Sequence, residues 1–196
     1  MFKYISKFKL IYSRLWTKLS TIRLRIYLWL SGCHVDKGLL VLGHYPFVEI
    51  GQDSSVDIGE CFKINSSHDA AMDIASHLIV KRNAKLTIGN YSGMNGALIY
   101  CSSEITIGDY VNIGGGTKII DSDFHPIDWL ARAKGGWVAS KPIHIGNYAF
   151  IGTNCIILKG VSIGEKSIVA AGSVVVKSIP EGQIWGGNPA KFIKNI

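Results

Sequence analysis

Residues 145–176 read IGNYAF IGTNCI ILKGVS IGEKSI VAAGSV VV, and set in sixes they place an aliphatic residue at the head of each block: Ile145, Ile151, Ile157, Ile163, Val169 and Val175. Glycine follows three of these anchors, at Gly146, Gly152 and Gly164. The position two before each anchor is mostly small or short: Ala149, Cys155, Val161, Ser167 and Ser173. An α-helix repeats its apolar face about every 3.6 residues, so this period excludes a helix. It fits short extended segments joined by turns, each with one inward side chain. No such segment buries its apolar residue alone; stacking coils about 4.8 Å apart buries them all in one column. A repeat of this kind sets the fold before local propensity is read.

The same register runs backwards through the chain in pieces. Ile107, Ile113 and Ile119 keep it, with Gly108 and Gly114 behind the first two. Ile88, Met94 and Tyr100 keep it less cleanly, and Ile74, Val80 and Leu86 keep it again. Ile50 pairs with Val56, and Ile58 with Ile64. The spacing predicts an all-β solenoid over 33–178, with bulges between blocks and one long protruding loop at 121–142. Loops of that length inside a compact repeat are usually functional or disordered. Ile179-Pro180-Glu181-Gly182 breaks the repeat and opens a tail, 179–196, in which Trp185 is expected to cover the end of the core.

Residues 1–32 differ in kind. Phe2, Ile5, Phe8, Tyr12, Leu15, Trp16 and Leu19 recur at helical steps, with Lys3, Lys7, Lys9, Arg14 and Lys18 mostly between them. The pattern predicts an amphipathic helix, broken near Ser20-Thr21 and stopped at Ser31-Gly32. Two readings fit it. The apolar face caps the open end of the solenoid or packs on a neighbouring subunit, because solenoids need caps. Alternatively the basic, Trp-bearing segment 1–30 rests on an anionic membrane as a peripheral contact.

The formal charge of +7 belongs to this segment: Lys3, Lys7, Lys9, Arg14, Lys18, Arg23 and Arg25 are unopposed there, and the other 14 basic residues balance 14 acidic ones. A nucleic-acid partner for the whole chain is therefore not expected. Cys33, Cys61, Cys101 and Cys155 form no CxxC pair, so neither a zinc nor a redox motif is indicated, and Cys155 reads as core filler. No run reaches the ~18 apolar residues of a spanning helix and no signal-peptide pattern is evident, so a reducing, cytoplasmic setting is expected.

Among six histidines, His34, His44, His68 and His77 read as bystanders, and His144, alternating with Ile143 and Ile145, reads as pointing outward. His125 differs. It lies on the long excursion Asp121-Ser122-Asp123-Phe124-His125-Pro126, near two carboxylates and before a proline that restrains the backbone. An imidazole titrates near neutrality and takes a proton from a hydroxyl at cellular pH. Asp121 or Asp123 would orient the ring; both carboxylates serve equally well as turn caps. Gly114-Gly115-Gly116 is either a tight corner or a source of amide donors for an oxyanion.

The aliphatic–glycine hexads resemble those of the hexapeptide-repeat acyltransferases, over roughly residues 48–196 and most strongly after Ile105. The loop histidine followed by proline, with the return Lys141-Pro142-Ile143-His144-Ile145-Gly146, is similar to the maltose and galactoside O-acetyltransferases, and more so to bacterial polysaccharide O-acetyltransferases. The resemblance implies a left-handed parallel β-helix, a homotrimer, and acetyl-CoA as co-substrate without a metal. It assigns His125 the part of general base, with Asp123 beside it. Asn95 would bind substrate or the reactive end of the cofactor. It lines the coenzyme groove with Gly114, Thr153, Ala171, Lys177, Lys191 and Lys194, the last two as lysines where that family often has arginine. Trp129, Trp137, Arg132 and Lys134 would shape the acceptor site or anchor the loop on a neighbour.

The function implied is direct transfer of acetyl to a sugar hydroxyl of a surface polysaccharide or its precursor, in the cytoplasm or at the inner face of the plasma membrane. N-acetylation of an amino sugar nucleotide is the second enzymatic reading. A non-catalytic scaffold or membrane-docking module is the third. The zinc-histidine spacing of the γ-carbonic anhydrases is not met by His68, His77, His125 and His144.

Overall fold

The computed structural model describes residues 2–66 and 75–196, with side chains from residue 12 onward. Ile74 and His68 lie outside the described residues, as do the side chains of Phe2, Ile5, Phe8, Lys3, Lys7 and Lys9. The chain winds into three parallel sheets. Sheet A stacks His34–Val35, Ser55–Ile58, Lys85–Ile88, Glu104–Ile107, Ile143–Ile145 and Ser162–Ile163. Sheet B stacks Leu40–Gly43, Lys63–Ser66, Gly93–Asn95, Asn112–Ile113, Phe150–Ile151, Ile168–Val169 and Gln183–Gly186. Sheet C stacks Phe47–Ile50, His77–Val80, Leu98–Cys101, Lys118–Ile120, Ile156–Leu158 and Val174–Val175.

The register follows the hexads. Ile145 lies over Ile163, Ile151 over Val169 and Ile157 over Val175. Every one of these anchors is buried, and so are the small residues Ala149, Cys155, Ser167 and Ser173 that turn the corners. The hydroxyls inside are satisfied: Thr117 donates to the Gly152 carbonyl at 2.7 Å and Ser167 to that of Pro180 at 2.6 Å. One register expectation fails. Ile99, not Tyr100, fills the core below Ile119, and Tyr100 faces out. The turn Asn95-Gly96-Ala97 is a residue short, with Gly96 at a φ of +44°, so the strand that follows starts one position early.

The corner between sheets A and B is closed by side chains. The Oδ1 atoms of Asn90, Asp109 and Asn147 accept the amides of Glu60, Asn90 and Asp109 at 2.8, 2.6 and 2.9 Å. Beside them Tyr91, Tyr110 and Tyr148 stack at 5.1 and 5.0 Å.

The helix α1 runs unbroken from Phe2 to Leu30. Ser20 and Thr21 do not break it, because both serve the docking face. Ser20, Leu24 and Leu28, one turn apart, are buried on the first coil. The Thr21 Oγ1 accepts the Val41 amide at 2.9 Å and the Tyr27 hydroxyl oxygen accepts that of Ile50 at 3.3 Å. Those two amides point toward the open end, where no further coil exists; their neighbours Leu40 and Gly51 donate into the second coil. The helix therefore lies across the open end as its cap. The stop falls at Gly32, whose φ of +75° lets Cys33 donate to the Leu28 carbonyl and Gly32 to that of Trp29, a Schellman closure. Tyr12, Leu15, Trp16 and Leu19, the face expected either to pack or to rest on a membrane, are exposed and do not make the cap.

At the other end the tail turns back. Lys191–Asn195 pairs antiparallel with Gln183–Gly186, so the repeat break at Pro180 is followed by one more sheet B strand and a hairpin that closes the stack. Trp185 packs against the core there, with its Nε1–H donating to the Gln183 Oε1 at 2.8 Å.

Because Leu24 seals the first coil and makes its contacts only in the docked helix, Leu24→Ala is expected to cost about 2–5 kcal/mol of unfolding free energy. Urea denaturation of the two proteins measures it. A loss below the range of a surface substitution would place the helix off the core.

Candidate active site

The loop leaves sheet C after Ile120 and rejoins sheet A at Ile143. Its root is fixed before its tip is placed. Asp121 is fully buried and accepts the amides of Ser102 and Ser103, both at 2.7 Å. Burial pushes its carboxyl above the usual range while those amides pull it down, so it anchors the loop and is not free to orient a histidine. Lys141 then donates to the Asp121 carbonyl, and Ser122 bridges Ser140 antiparallel.

Above this root the backbone is strained. Phe124 has a φ of +60°, an unusual value for a bulky residue, and the His125 amide donates to the Asp123 carbonyl at 2.7 Å across it. The turn is held by an edge-on contact of the Phe124 ring with Tyr100, at 4.6 Å, and by the Ser122 hydroxyl oxygen, which accepts the Phe124 amide. Pro126 is buried on the far side. The His125 ring itself is exposed. Beyond it the loop forms a short helix, α2 (Trp129–Lys134), capped by Asp128 and Gly135. Arg132 reaches back to donate to the carbonyls of Pro126 and Ile127, both at 3.1 Å. It thus braces the histidine's segment rather than facing an acceptor.

Asp123 does not hold the histidine ring. Its Oδ1 meets Lys159 Nζ at 2.6 Å, and its Oδ2 is buried with no protein partner. Lys159 escaped the sequence reading because it sits in an ordinary exposed-looking slot of a hexad; only the coil stacking brings it to the loop. Trp129 and Trp137 are exposed, the latter by 80%, and with Ile127 and Leu130 they make the loop an apolar arm.

The predicted cofactor residues converge elsewhere. Gly114, Gly152 and Ala170 stack on the corner between sheets B and C, each one step past a core anchor. A Cβ on Gly114 would meet the Gly152 carbonyl carbon at 2.6 Å and the Thr153 amide at 2.7 Å; one on Gly152 would meet the Ala171 amide at 2.6 Å. Only glycine lets these coils approach so closely. Gly114 and Gly116 donate to the carbonyls of Ile151 and Gly96. The amides of Gly115, Thr153 and Ala171 donate to no acceptor among the described residues. The A/B corner is filled by side-chain oxygens at Glu60, Asn90 and Asp109 and, among the described residues, is open at Asn147 and Glu165, whereas the B/C corner presents the open amides of Gly115, Thr153 and Ala171 in successive coils.

Asn95 belongs to the same corner and is exposed. It lines a cavity of about 260 Å³ on sheet B with Asn65, Asn112, Gly114 and Phe150. Lys177, Lys191 and Lys194 are exposed near the C-terminal end of the stack. A recess of about 490 Å³ is on sheet A against His144, Ser162 and Ser178, and none of the predicted transfer residues lines it. Among the described residues no cluster of three or more His, Cys, Asp or Glu side chains is placed to hold a metal.

Within one chain, therefore, His125 stands at the C/A corner and the open amides with Asn95 at the B/C corner, with sheet C between them. The outward side chains of sheet C are largely apolar: Ile79, Leu98, Tyr100, Ile156, Leu158 and Val174.

A family model described as the hexapeptide repeat of succinyl-transferase matches residues 142–177. The galactoside O-acetyltransferase of Escherichia coli (strain K12) is 39% identical over 92 residues, which are 47% of this chain and 44% of that protein. A hexapeptide-repeat acetyltransferase of Vibrio cholerae, solved with acetyl coenzyme A, superposes with a TM-score of 0.53 at 29% identity, over 76% of this chain and 71% of that one. The chain thus carries the hexapeptide repeat and is similar to acetyltransferases of the hexapeptide-repeat superfamily. Its solenoid is the left-handed parallel β-helix of that superfamily. AntD, an N-acyltransferase of Bacillus cereus solved with dTDP and 3-hydroxybutyryl-CoA, shares the fold with a TM-score of 0.65 at 23% identity, over 87% of each chain. The aligned segment spans only 44% and 54% of two curated putative acetyltransferases, of Schizosaccharomyces pombe and Saccharomyces cerevisiae.

If Asp121 anchors the hexapeptide-repeat loop, Asp121→Ala strands two buried amides. The expected loss is about 1–3 kcal/mol of unfolding free energy. Limited proteolysis is expected to cut 122–140 faster in the variant, and equal cutting rates would remove the anchor role.

Proposed function

We propose that the protein transfers acetyl from acetyl-CoA to a sugar hydroxyl, the acceptor being a surface polysaccharide or its precursor. The observation that carries this is the pairing of an exposed, rigidly presented His125 with an open-amide corner. Pantetheine is a chain of amides, and the free N–H groups of Gly115, Thr153 and Ala171 are spaced along the coil axis to meet its carbonyls. Lys177, Lys191 and Lys194 would meet the phosphates at one end, and Asn95 the acyl end or the acceptor. The 39% identity to a galactoside O-acetyltransferase and the acetyl coenzyme A held by the Vibrio cholerae relative support the same chemistry.

The step is direct. His125 accepts the proton of the acceptor hydroxyl as its oxygen attacks the thioester carbonyl. The tetrahedral oxyanion is met by an amide of the glycine corner, and the thiol of coenzyme A leaves, taking up the proton. A base of this kind is worth roughly 10²–10⁴ in rate. No acyl-enzyme is invoked. Burial pushes the Cys101 thiol up to about 12 and the Cys33 thiol up to about 11, far from a thiolate at neutral pH. Burial also raises that of Cys155. The buried, unpartnered Asp123 Oδ2 is an acceptor available to the imidazole N–H or to a second sugar hydroxyl, steadied by Lys159.

Because sheet C separates the two halves of the site, the working unit is a homotrimer. Each loop arm lies against the B/C corner of the next protomer, and the apolar sheet C faces turn inward.

Two measurements test this. His125→Ala is expected to lower thiol release from acetyl-CoA with sugar acceptors roughly 10²–10⁴-fold while leaving the KM for acetyl-CoA unchanged. Retained activity would remove the base, and an amino sugar nucleotide outcompeting every hydroxyl acceptor would replace the O-transfer reading by N-transfer. In the second, His125→Ala and Asn95→Ala chains, each inactive, are expected to regain activity when co-assembled. Failure to complement would place both groups in one protomer's site.

A further inference from the structure

The helix that caps the first coil is apolar on two opposite sides. At about 100° per residue, Ser20, Leu24 and Leu28 point one way, into the solenoid, and Leu15, Leu19, Ile22, Ile26 and Trp29 point about the opposite way. The second row is exposed along its length, Ile22 by 55%, Ile26 by 51% and Trp29 by 74%. Since Thr21 and Tyr27 close the downward amides of the first coil, the inner side of α1 faces up the coil axis and its outer side faces away from the molecule. Protomers packed side by side through sheet C contact the flanks of the stack and leave this outer row uncovered.

Charge says what covers it. The first acidic residue of the chain is Asp36, and seven basic residues precede it. Arg14, Lys18 and Arg25 lie along one flank of the outer row, exposed. On the other flank Arg23 stands over the Tyr45 ring at 4.1 Å. Tyr12 and Trp16, stacked at 6.0 Å, and Trp29 are the ring types favoured at a membrane interface. Two copies placed end to end would bring these unopposed cations together, which disfavours a second copy as occupant. No helix among the described residues is long and apolar enough to cross a membrane, so the contact is made flat, along the helix side.

We propose that α1 is a two-sided adaptor that seats the solenoid, end on, upon an anionic lipid bilayer. The inner row holds the protein, the outer row enters the headgroup boundary, and the basic flanks meet lipid phosphates. The proposal takes from the proposed side-by-side assembly only that the outer row stays uncovered, and its vesicle-binding readout is independent of acyl transfer.

The test is co-sedimentation of the full chain with phosphatidylcholine vesicles, with and without phosphatidylglycerol. Binding is expected only with phosphatidylglycerol and is expected to weaken as salt rises. Arg14→Ala with Lys18→Ala should weaken it roughly thirtyfold. Ile22→Glu with Ile26→Glu should abolish it while thermal unfolding and oligomer size stay as in the parent, since neither side chain is packed. Equal binding by this variant and the parent would overturn the proposal. So would a parent assembly twice the size of the variant's, because the outer row would then be covered by a second copy.

Discussion

A parallel β-ladder between coils satisfies half of each strand's amides from the coil above and half of its carbonyls from the coil below, so no coil of this protein is complete alone. The core column gives the driving force, but the ladder gives the constraint: a break in the stack exposes a row of polar groups that cost about 1–3 kcal/mol each when buried without a partner. Both ends and every corner are built around that constraint. At the start, α1 supplies a threonine and a tyrosine oxygen where a preceding coil is lacking. At the finish, the strand Lys191–Asn195 reverses direction and pairs back on its neighbour. A helix and a hairpin are unlike solutions, and they reflect different surroundings. The hairpin ends in exposed residues, whereas the helix carries a second apolar row.

The three corners show the same constraint resolved in three ways. At the A/B corner, asparagine and aspartate oxygens take up the amides of Glu60, Asn90 and Asp109, which ties the upstream coils together at that edge. At the C/A corner, a single buried carboxylate, Asp121, takes two amides and so permits the chain to leave the stack for a long loop and return without fraying. At the B/C corner, Gly115, Thr153 and Ala171 stand where the asparagine and aspartate acceptors of the A/B corner would be, and their amides stay open. One position earlier, Gly114 and Gly152 leave no room for a Cβ, as Gly89, Gly108 and Gly146 do at the A/B corner. Close approach is therefore common to both corners, and what differs is whether the next residue carries a side-chain acceptor.

The hexads from Ile105 onward were legible because the coil is regular there and period alone determines which side chains point inward. Upstream, the Gly96 turn shifts the register by one residue, and nothing in the residue types distinguishes Ile99 from Tyr100 as the inward member; packing does. The helix was legible as helix, yet its docking side was misread. The residues that pack are Ser20, Leu24 and Leu28, and the more hydrophobic row with its tryptophans stays outside. A single row of apolar residues at helical spacing suggests one apolar direction, and α1 has two. His125 stood out as a residue on an excursion with neighbouring carboxylates. What could not be read was the division of labour between those carboxylates, since Asp121 reaches Ser102 and Ser103, and Asp123 reaches Lys159, only through coils distant in sequence.

The separation of His125 from the open corner follows from the geometry of a triangular coil rather than from any detail of the loop. Successive corners are one sheet width apart, and a loop leaving one corner projects outward, away from the other two. No rearrangement within a chain folds the loop back across sheet C without burying Trp129, Trp137 and Ile127 against the outward residues of its own sheet and displacing the root that Asp121 fixes. An arm of exposed aromatic residues, an apolar outer sheet and a corner of open amides are the surfaces that the proposed rotational assembly would bring together. In the proposed trimer, assembly would complete the site and cover the apolar surface in one step, leaving the outer row of α1 as the exposed apolar face that side-by-side packing would not reach.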